Sequence, residues 1–277
     1  RIKVCRTAAL TLQHPFLLAN QVGGNDDLLF DGCSLVAWPN GMVVVAPSWQ
    51  EGVLMVDLDQ PENCRWIGMG GEDALSIGND ALKIIPSDSD GHEESAELIE
   101  DITDAVITGL ADYCRKSGIK SIVLGLSGGI DSAVAACVAC AAVGAENVLG
   151  IAMPSRYSSQ HSLDDARYTA QALGMQFKVE SIDEMHSTLE AQIDSVLSNG
   201  SPVASENIQS RLRGIIVMAH ANAEGRMAVA TGNKSELAQG YCTLYGDMAG
   251  GYTPLGDLYK MQVYALAEVF NSRASQS

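Results

Sequence analysis

The sequence predicts an α/β protein whose larger part is a parallel sheet covered by helices on both faces. Two observations carry this prediction. From about residue 95 onward, helical and strand-like segments alternate along the chain, and apolar residues make up 47% of the sequence while aromatic residues make up only 5%. Strand–helix alternation is typical of parallel sheets, because each parallel connection needs a crossover. The core is therefore expected to consist mainly of Ala, Val, Ile and Leu.

Length, charge and cysteine content limit the classes of protein that remain. The 277 residues correspond to about two domains and can bury a core without disulfides or a structural metal. The net charge of -17 argues against a nucleic-acid partner, because such partners need clustered Lys and Arg. The sequence contains no apolar run of about 18 residues, so it predicts no membrane-spanning helix. The seven cysteines follow no framework and are expected as buried thiols in a reducing, cytoplasmic compartment.

The first 92 residues are expected to form a helix followed by short strands. Residues 1–12 have helical character. Three segments rich in β-formers follow, at 17–20, 28–38 and 42–58. The Pro-Asn-Gly at 39–41 predicts a hairpin turn between two of these strands. Residues 59–92 are rich in Gly, Pro, Ser and Asp without periodicity, which indicates a linker or long loop.

The remainder is predicted to alternate between helices and strands. A helix begins near residue 95 and ends at Gly118, and a later helix ends at Gly174, because glycine is the usual residue after a helix terminus. Strands are expected at 121–126, 147–154, 176–182 and 227–232. Further helices are expected at 131–144, 162–173, the segment ending at 197, 206–223 and 258–271.

The strongest chemical signal is GLSGGIDSA at 125–133, between a buried strand and a helix. Glycines let the chain turn tightly and expose backbone N–H groups, and the helix start adds the positive end of its dipole. Ser127 and Ser132 add hydroxyl groups, and Asp131 is expected to hold a Mg²⁺ ion that bridges phosphate oxygens. The structural alternative is an ordinary tight turn with Asp131 capping the helix. No Lys follows the second Gly, so the Walker pattern is excluded.

Two later segments follow the second and fourth strands of this part, at 153–166 and 231–260. Open α/β sheets bind ligands at the carboxyl ends of their strands. Glu236 is a candidate second carboxylate for Mg²⁺, and Thr231 a hydroxyl group near the phosphates. Asp247 and Lys260 are candidates to bracket the substrate and pyrophosphate. The structural alternatives are a first-turn acid for Glu236, a turn residue for Asp247 and a surface cation for Lys260.

Several motifs together resemble a known family. The Ser-Gly-Gly-x-Asp-Ser at 127–132 is similar to the loop of the PP-loop (N-type) ATP pyrophosphatases. With it, the segments MPSRYSS, ENIQSRLRG, TGNKSE and TLYGDMAGGYTPLGDLYK resemble the NAD synthetase family in order and spacing. The segment ANQVGGNDDLLFDG at 19–32 resembles the latter part of the glutaminase domain of the glutamine-dependent members. The resemblance implies a Rossmann-like adenine-nucleotide alpha-hydrolase (PP-loop) domain preceded by part of a nitrilase-like α/β/β/α sandwich.

The resemblance also implies roles for individual residues. ATP would be bound by Gly125, Leu126, Ser127, Gly128, Gly129, Ile130, Asp131, Ser132, Thr231 and Lys260. Deamido-NAD would be bound by Asn207, Arg211, Glu236, Tyr241, Leu244 and Tyr245. Mg²⁺ would be held by Asp131 and Glu236, and the catalytic group would comprise Asp131, Asp247 and Lys260. Met261 departs from the family, in which a small hydroxyl residue often follows the Lys.

The activity implied is ATP-dependent amidation of deamido-NAD through an acyl-adenylate, with ammonia supplied from glutamine by a homo-oligomeric enzyme. One alternative is another PP-loop amidotransferase such as GMP synthetase, against which TGNKSE and YGD count. A second is a nucleotide-binding module without turnover. A tRNA-modifying PP-loop enzyme is disfavoured by the acidic composition.

The implied domains are the end of a glutaminase domain at 1–70, a linker at 71–92 and an NAD synthetase domain at 93–277. In the family, a Glu, a Lys and a Cys hydrolyse glutamine, and the Cys lies upstream of the segment that matches NQVGGND at 20–26. The resemblance implies that this sequence begins after all three. A later loop that carries another Lys also has no counterpart here. We therefore expect an internal fragment of a longer enzyme that cannot hydrolyse glutamine by itself.

Overall fold

A computed structural model describes residues 1–26, 28–69, 77–78, 82–87, 95–198, 200–201 and 203–276. The chain divides into two compact units, Arg1–Gly109 and Leu110–Ser277. The division falls inside one continuous helix, Ser95–Ser117. Within the part of the chain that is described, no helix is both long and apolar enough to cross a membrane.

The first unit consists of a helix and short antiparallel strands. Its elements are α1 (Ile2–Leu12), β1 (Phe16–Leu18), β2 (Val22–Asn25), β3 (Leu28–Asp31), β4 (Leu35–Ala37), β5 (Val43–Val45), β6 (Gly52–Met55), β7 (Arg65–Gly68), β8 (Ile77–Gly78), β9 (Lys83–Ile85) and the first turns of α2 (Ser95–Ser117). A four-stranded sheet has the order β1-β4-β5-β9, and β2-β3 and β6-β7-β8 form smaller sheets. The predicted helix at 1–12 is confirmed.

The hairpin predicted at Pro39–Gly41 is confirmed. It connects β4 to β5, with the Trp38 amide donating to the Met42 carbonyl at 2.9 Å. The β-rich segments on either side are shorter than expected. Cys33 adopts a left-handed conformation with φ 50°, and it lies in the break between β3 and β4. Pro47 has no N–H to donate, which separates β5 from β6.

The long loop expected over 59–92 is wrong for its described residues, since it contains strands. β7 pairs with β6, and β9 pairs with β5 in the register Val43↔Ile85. A strand of three residues has too few alternations to be recognised from sequence, and tertiary pairing decides its conformation. Residues 70–76, 79–81 and 88–94 of this segment lie outside the described residues. The domain boundaries given above stay a prediction.

The second unit alternates between strands and helices as predicted. Its elements are the end of α2, β10 (Ile122–Gly125), α3 (Ile130–Val143), β11 (Val148–Ala152), α4 (Gln160–Leu173), β12 (Gln176–Val179), α5 (Asp183–Gln192), α6 (Asp194–Leu197), α7 (Val203–Glu224), β13 (Met227–Val229), α8 (Lys234–Gln239) and α9 (Lys260–Gln276). The strands are shorter than expected because their last predicted residues belong to the loops at the carboxyl edge. The final helix runs beyond Asn271, since no Gly or Pro interrupts it.

The four strands of this unit form one parallel sheet in the order β12-β11-β10-β13. Helix α7 packs on one face through a cluster that includes Val123, Leu149 and Leu212. Ile122 and Leu124 alternate with Val123 and are fully buried toward the other face, where α3 contacts β10. The chain builds outward from β10 to β12 and then returns to place β13 beside β10. The order of the strands therefore reverses between β10 and β13, which is where open α/β sheets bind ligands.

All seven cysteines are free thiols. Cys137 and Cys140 lie on α3, and burial raises the pKa of the Cys137 thiol to about 11 and that of Cys140 to about 12. The Cys140 sulfur contacts the sulfur of Met175 at 4.0 Å. Since the thiolate is the reactive form, these two cysteines are packing residues, as predicted.

Candidate active site

The loop after β10 is held in shape by its own serines. The Ser127 amide donates to the Ser132 hydroxyl oxygen at 3.2 Å, and the two hydroxyl oxygens lie 3.0 Å apart. The Gly129 amide donates to the Ser127 hydroxyl oxygen at 3.2 Å, and the Ser132 hydroxyl donates to the Gly129 carbonyl at 2.9 Å. Helix α3 begins directly after Gly129, so its first amides lack partners within the helix and can bind an anion.

Gly128 cannot be replaced without moving this loop. Its φ is +82°, and a Cβ atom there would lie 2.2 Å from the carbonyl oxygen of Ser162, in the first turn of α4. The glycine thus serves both backbone conformation and close approach to the neighbouring helix. The position of the loop is therefore limited both by its glycine backbone and by the neighbouring helix α4.

Asp131 lies in the first turn of α3, and its side chain contacts distant parts of the chain. One carboxylate oxygen accepts a hydrogen bond from the Asn233 side-chain amide at 3.1 Å, and the other accepts one from the Lys260 ammonium group. The residue that precedes α3 is Gly129, and it makes no side-chain cap. Asp131 therefore does not cap its helix, contrary to that part of its structural alternative, and Lys260 is a partly exposed cation paired with Asp131.

Asn233 and Glu236 form a reciprocal cap at the start of α8. The Asn233 side chain accepts from the Glu236 amide at 3.0 Å, and the Glu236 carboxylate accepts from the Asn233 amide at 3.1 Å. Asn233 is fully buried. It joins the cap to Asp131, so the turn after β13 and the loop after β10 are held together. Glu236 is a first-turn acid, as its structural alternative states, and also lines a cavity.

Two adjoining cavities lie at this edge of the sheet. The larger has a volume of about 440 Å³ and the smaller about 320 Å³. The larger lies among the loops after β10 and β11 and the inner face of α7, and its lining includes Gly125, Leu126, Ser127, Met153, Arg213, Val217, Thr231 and Asp247. The smaller is lined by Ser127, Asp131, Ser132, Thr231, Glu236, Tyr241 and Asp247, among others. Ser127, Ala230, Thr231 and Asp247 line both.

The smaller cavity has the donors that a hard divalent cation requires. Among the described residues no group of three or more His, Cys, Asp and Glu side chains is gathered. Asp131 and Glu236 nevertheless line one cavity together with the hydroxyl residues Ser132 and Thr231. Mg²⁺ is usually held by one or two carboxylates, with substrate phosphates and water completing its shell. The two carboxylates therefore suit Mg²⁺ bound together with a phosphate ligand.

Asp247 is fixed by two hydrogen-bond partners in a tight turn. One carboxylate oxygen accepts from the Thr243 amide at 2.8 Å, and the other accepts from the Ser210 hydroxyl at 3.2 Å. The Asp247 amide in turn donates to the Ser210 hydroxyl oxygen at 3.0 Å. Asp247 is thus a turn residue that also lines both cavities. Its carboxylate is positioned from helix α7, where Ser210 lies.

Asn207 and Arg211 also tie the 241–247 loop to α7. The Asn207 side-chain oxygen accepts from the Thr243 hydroxyl at 3.0 Å, and Arg211 Nε donates to the Leu244 carbonyl at 3.2 Å. Neither residue lines the two cavities. Their assignment as deamido-NAD ligands stays a prediction, while their contacts show that they hold this loop against the helix.

The three predicted apolar substrate residues on this loop differ in position. Tyr241 lines the smaller cavity, whereas Leu244 and Tyr245 line neither. Tyr241 is 83% exposed, Leu244 63% and Tyr245 84%. Tyr245 also has a left-handed backbone with φ 62°. These side chains form an exposed apolar rim beside the cavities, and their role in binding stays a prediction.

Sequence reasoning missed Asn233, Ser210 and Arg213. Asn233 had a detectable signal, because Asn followed three residues later by Glu is a capping box. Ser210 and Arg213 lie in the ENIQSRLRG segment, but which side of the helix faces the sheet was not assigned there. Arg213 projects inward and its Nε donates to the Met153 carbonyl at 3.1 Å.

The loop after β11 is anchored to the start of α5. The Arg156 amide donates to the Asp183 carboxylate at 2.9 Å, and the Arg156 guanidinium contacts the same carboxylate at 3.2 Å. These hydrogen bonds, the one from the Arg156 amide first, lower the pKa of Asp183. The anchor fixes the loop at one side of the larger cavity.

Comparisons with known proteins agree with this architecture. The sequence model of the family described as NAD synthase matches residues 102–274, and that described as carbon-nitrogen hydrolase matches residues 4–67. The expected fold class is thus confirmed: a PP-loop domain of the NAD synthase type follows part of a nitrilase-like domain.

Individual relatives point the same way. A glutamine-dependent NAD(+) synthetase of Rhodobacter capsulatus is 47% identical over 252 residues, which cover 90% of this chain and 42% of that protein. The structure of glutamine-dependent NAD+ synthetase from Acinetobacter baumannii in complex with ADP is 35% identical with a TM-score of 0.81, covering 99% of this chain and 48% of that one. The NH3-dependent NAD synthetase from Campylobacter jejuni is 33% identical with a TM-score of 0.58, covering 62% and 73%. The chain spans about half the length of the curated relatives it matches.

Proposed function

Because the chain belongs to the NAD synthase family, we propose that it carries the site for ATP-dependent amidation of deamido-NAD to NAD⁺. The observation that carries the proposal is the convergence of Asp131, Asn233 and Lys260 beside the Ser127–Ser132 loop. That convergence places a carboxylate, a cation and unpaired amides at one edge of the sheet. Such a set suits a polyphosphate with a divalent cation.

ATP is proposed to lie across both cavities. The larger cavity is lined by apolar side chains such as Leu126, Met153 and Val217 and is large enough for a nucleoside. The smaller cavity has Asp131 and Glu236, which would hold Mg²⁺ against the phosphates. Mg²⁺, when bound, supplies charge neutralisation for the transfer of the adenylyl group. The structure of a relative in complex with ADP supports an adenine nucleotide as the ligand.

The reaction proposed has two steps. A carboxylate oxygen of the nicotinate group attacks the α-phosphorus of ATP, and the bond from that phosphorus to the pyrophosphate oxygen breaks. Ammonia then attacks the acyl carbon, AMP leaves, and the nitrogen loses a proton to give the amide. Adenylation is needed because a carboxylate is a poor electrophile with a poor leaving group.

The residues of this chain act mainly by positioning and by charge. The loop amides and the Lys260 ammonium group would stabilise the negative charge that develops on the phosphates and pyrophosphate. The Asn233 side-chain amide donates to the Asp131 carboxylate at 3.1 Å and so fixes its orientation beside the loop. Asn207, Arg211, Tyr241, Leu244 and Tyr245, with Glu236, are proposed to form the deamido-NAD side of the site.

The ammonia source is a separate part of the proposal. Residues 4–67 match the carbon-nitrogen hydrolase family, and similar proteins that include this segment are described as glutamine-dependent. We propose that glutamine is the ammonia source in the whole protein and that the assembly is a homo-oligomer in the cytoplasm. Mass measurement of the protein in solution tests the oligomer, since a monomer at micromolar concentration would contradict it.

A steady-state assay tests the amidation. The chain is supplied with ATP, Mg²⁺ and ammonium together with deamido-NAD, nicotinate mononucleotide or xanthosine monophosphate, and AMP and amidated product are measured. We expect AMP and NAD⁺ in equal amounts only with deamido-NAD. Turnover that requires xanthosine monophosphate would instead support a GMP synthetase-like enzyme. Nucleotide binding without product from any acceptor would support a module without turnover.

Isotope exchange tests the intermediate. In the absence of ammonia, labelled pyrophosphate should enter ATP only when deamido-NAD is present, because adenylation is then reversible. Exchange without any acceptor, or no exchange alongside NAD⁺ formation, would contradict an acyl-adenylate.

A further inference from the structure

Helix α7 has two arginines, Arg211 and Arg213, that face opposite sides. Residues two apart on a helix project about 200° from each other. Arg211 is exposed and holds the carbonyl of Leu244, whereas Arg213 is half-buried and lines the larger cavity. Arg213 has no role in the function proposed so far.

The guanidinium of Arg213 is only partly satisfied by the protein. Its Nε donates to the Met153 carbonyl at 3.1 Å. Its two terminal nitrogens have no hydrogen-bond partner among the described residues, and both keep access to solvent. Burial lowers the pKa of this guanidinium, but arginine remains charged in proteins. A charged fork of N–H donors is therefore held in a cavity without a carboxylate bound to it.

The other groups lining this cavity indicate which ligand the fork would bind. Asp247 is the acidic residue of the cavity among the described residues, and its carboxylate oxygens accept from Thr243 and Ser210. Gly125–Ser127, the start of the phosphate loop, lines the same cavity. The carboxylates expected to attract Mg²⁺ line the neighbouring cavity instead. An arginine fork matches a phosphate group geometrically, with two parallel hydrogen bonds.

We propose that Arg213 binds the phosphate group attached to the ribose of the adenine nucleotide, an inference that rests on the proposed function. ATP that spans both cavities has its adenosine and α-phosphate on the Arg213 side and its pyrophosphate on the Asp131 side. The residues shared by the cavities, such as Ser127 and Thr231, then lie near the bond that breaks. Because the α-phosphate is retained in the acyl-adenylate and in AMP, Arg213 keeps its ligand through both steps.

This assignment is tested by removing the phosphate from the ligand, the guanidinium from residue 213, or both. Dissociation constants of adenosine and of AMP are measured by calorimetry for the wild-type chain and for Arg213→Gln. Gln places a nitrogen donor the same number of bonds from Cα as Arg Nε, so the hydrogen bond to Met153 can be kept while the charged fork is lost. Arg167→Gln is the matched control, because it removes the same charge from an exposed residue paired with Asp164.

The expected result is selective. Arg213→Gln should weaken AMP binding about tenfold or more, as for a charged hydrogen bond, and change adenosine binding by less than about twofold. Arg167→Gln should change neither constant beyond that limit. Equal weakening of both ligands would assign Arg213 to positioning of the Met153 loop and overturn the proposal. Unchanged AMP binding would overturn it as well.

The same measurements distinguish a wrong assignment of Arg213 from the absence of an adenine-nucleotide site. A wild-type chain that binds neither adenosine nor AMP would remove the adenine-nucleotide site, and the role of Arg213 with it. A wild-type chain that binds AMP more tightly than adenosine, with that preference unchanged in Arg213→Gln, would leave the nucleotide site in place and reject only the role of Arg213.

Discussion

The two cavities at the carboxyl edge of the parallel sheet differ in what their walls provide. The larger is lined by apolar side chains and by several serine and threonine residues, with Arg213 and Asp247 as its charged residues among those described. The smaller has Asp131 and Glu236 on its walls, with the Lys260 ammonium group on Asp131. If ATP lies across both cavities as proposed, its adenosine would meet the apolar side chains of the larger one and its α-phosphate would meet Arg213 there. The remaining phosphates would meet the two carboxylates, with Mg²⁺, in the smaller one.

The cavities also differ in the strands beside them. Both are lined by residues that follow β10 and β13, such as Ser127 and Thr231, and the larger is lined in addition by β11 and the loop after it. Between β10 and β13, which are neighbours in space only, two loops distant in sequence bring the Asp131 carboxylate, the Asn233 amide and the Lys260 ammonium group together. Variants that affect one cavity and spare the other test this division.

The largest effect is expected from Asp131→Asn. This change removes a proposed Mg²⁺ ligand and the partner of Lys260, so the rate of AMP formation should fall at least about a hundredfold. Adenosine binding should stay within about twofold of wild type, because Asp131 does not line the larger cavity. Asp164→Asn, at an exposed position of α4, is the control and should retain activity. Loss of adenosine binding in Asp131→Asn would contradict the separation of the cavities.

Two substitutions at Glu236 separate its hydrogen bond at the helix cap from its proposed role as a Mg²⁺ ligand. Glu236→Gln keeps an oxygen that can accept from the Asn233 amide, so the cap and the free energy of unfolding should be preserved within about 0.5 kcal/mol. The Mg²⁺ concentration for half-maximal activity should nevertheless rise about tenfold, because one carboxylate is lost.

Glu236→Ala is the companion variant, measured by urea unfolding and by the same Mg²⁺ titration. It should also lose the hydrogen bond from the Asn233 amide, at a cost of up to about 1 kcal/mol of unfolding free energy, while the Asn233 side chain still accepts from the amide of residue 236. If Glu236→Gln leaves the Mg²⁺ dependence unchanged, Glu236 is a capping residue and its assignment to the metal is wrong.

Gly128→Ala tests the tight contact between the phosphate loop and α4. The new Cβ would lie 2.2 Å from the Ser162 carbonyl oxygen, so the loop must move and nucleotide binding should be lost. Gly118 has a similar φ of +69° with no atom within 4 Å of its Cβ position, and it is the matched control. Gly118→Ala should cost about 1 kcal/mol of unfolding free energy and leave binding intact. Equal effects of the two substitutions would show that backbone strain, and not the contact, matters at Gly128.

The smallest effect is expected at His220, which lines neither cavity. Its two ring nitrogens lie 2.7 Å from carboxylate oxygens of Glu224 and Glu180, in a group that also includes Lys178 and Arg226. The hydrogen bonds to Glu224 and Glu180 raise the pKa of His220. A raised pKa gives stability that is fully present below the unfolded value of about 6.5 and is lost as the pH rises through the folded value.

The measurement is the unfolding temperature of wild type and His220→Gln from about pH 5 to about pH 9. Wild type should be the more stable at the acidic end of this window, by at most a few degrees, and the difference should shrink toward the alkaline end. In more acidic solution the stability should fall for another reason, since His220 first, with Arg226 and Lys178, lowers the pKa of Glu224 to about 2. A difference that grows with rising pH would contradict the proposed charge state of His220.

Much of the second unit could be predicted because its elements are long and regularly patterned. The strands VLGIA and IVLG are continuous apolar runs, and Gly174 ends its helix in a left-handed conformation with φ 68°. The first unit was harder, since strands of three or four residues such as β9 depend on their partners for their conformation. At the candidate site, the sequence indicated Asp131 and Lys260, which the structure pairs, but it did not indicate that Arg213 lines the larger cavity, because nothing local shows which face of α7 is inward.

The sequence alone determined the phosphate loop and the helices and strands that flank it, because glycine conformation, serine hydrogen bonds and apolar periodicity act over a few residues. Tertiary structure alone decided that Asp131 meets Asn233, 102 residues away, and Lys260, 129 residues away. The physical reason is the topology of the sheet: parallel strands bring their carboxyl ends to one edge, and the reversal of strand order puts the loops after β10 and β13 side by side. Which side chains face the larger cavity was decided in the same way, by the packing of α7 against the sheet.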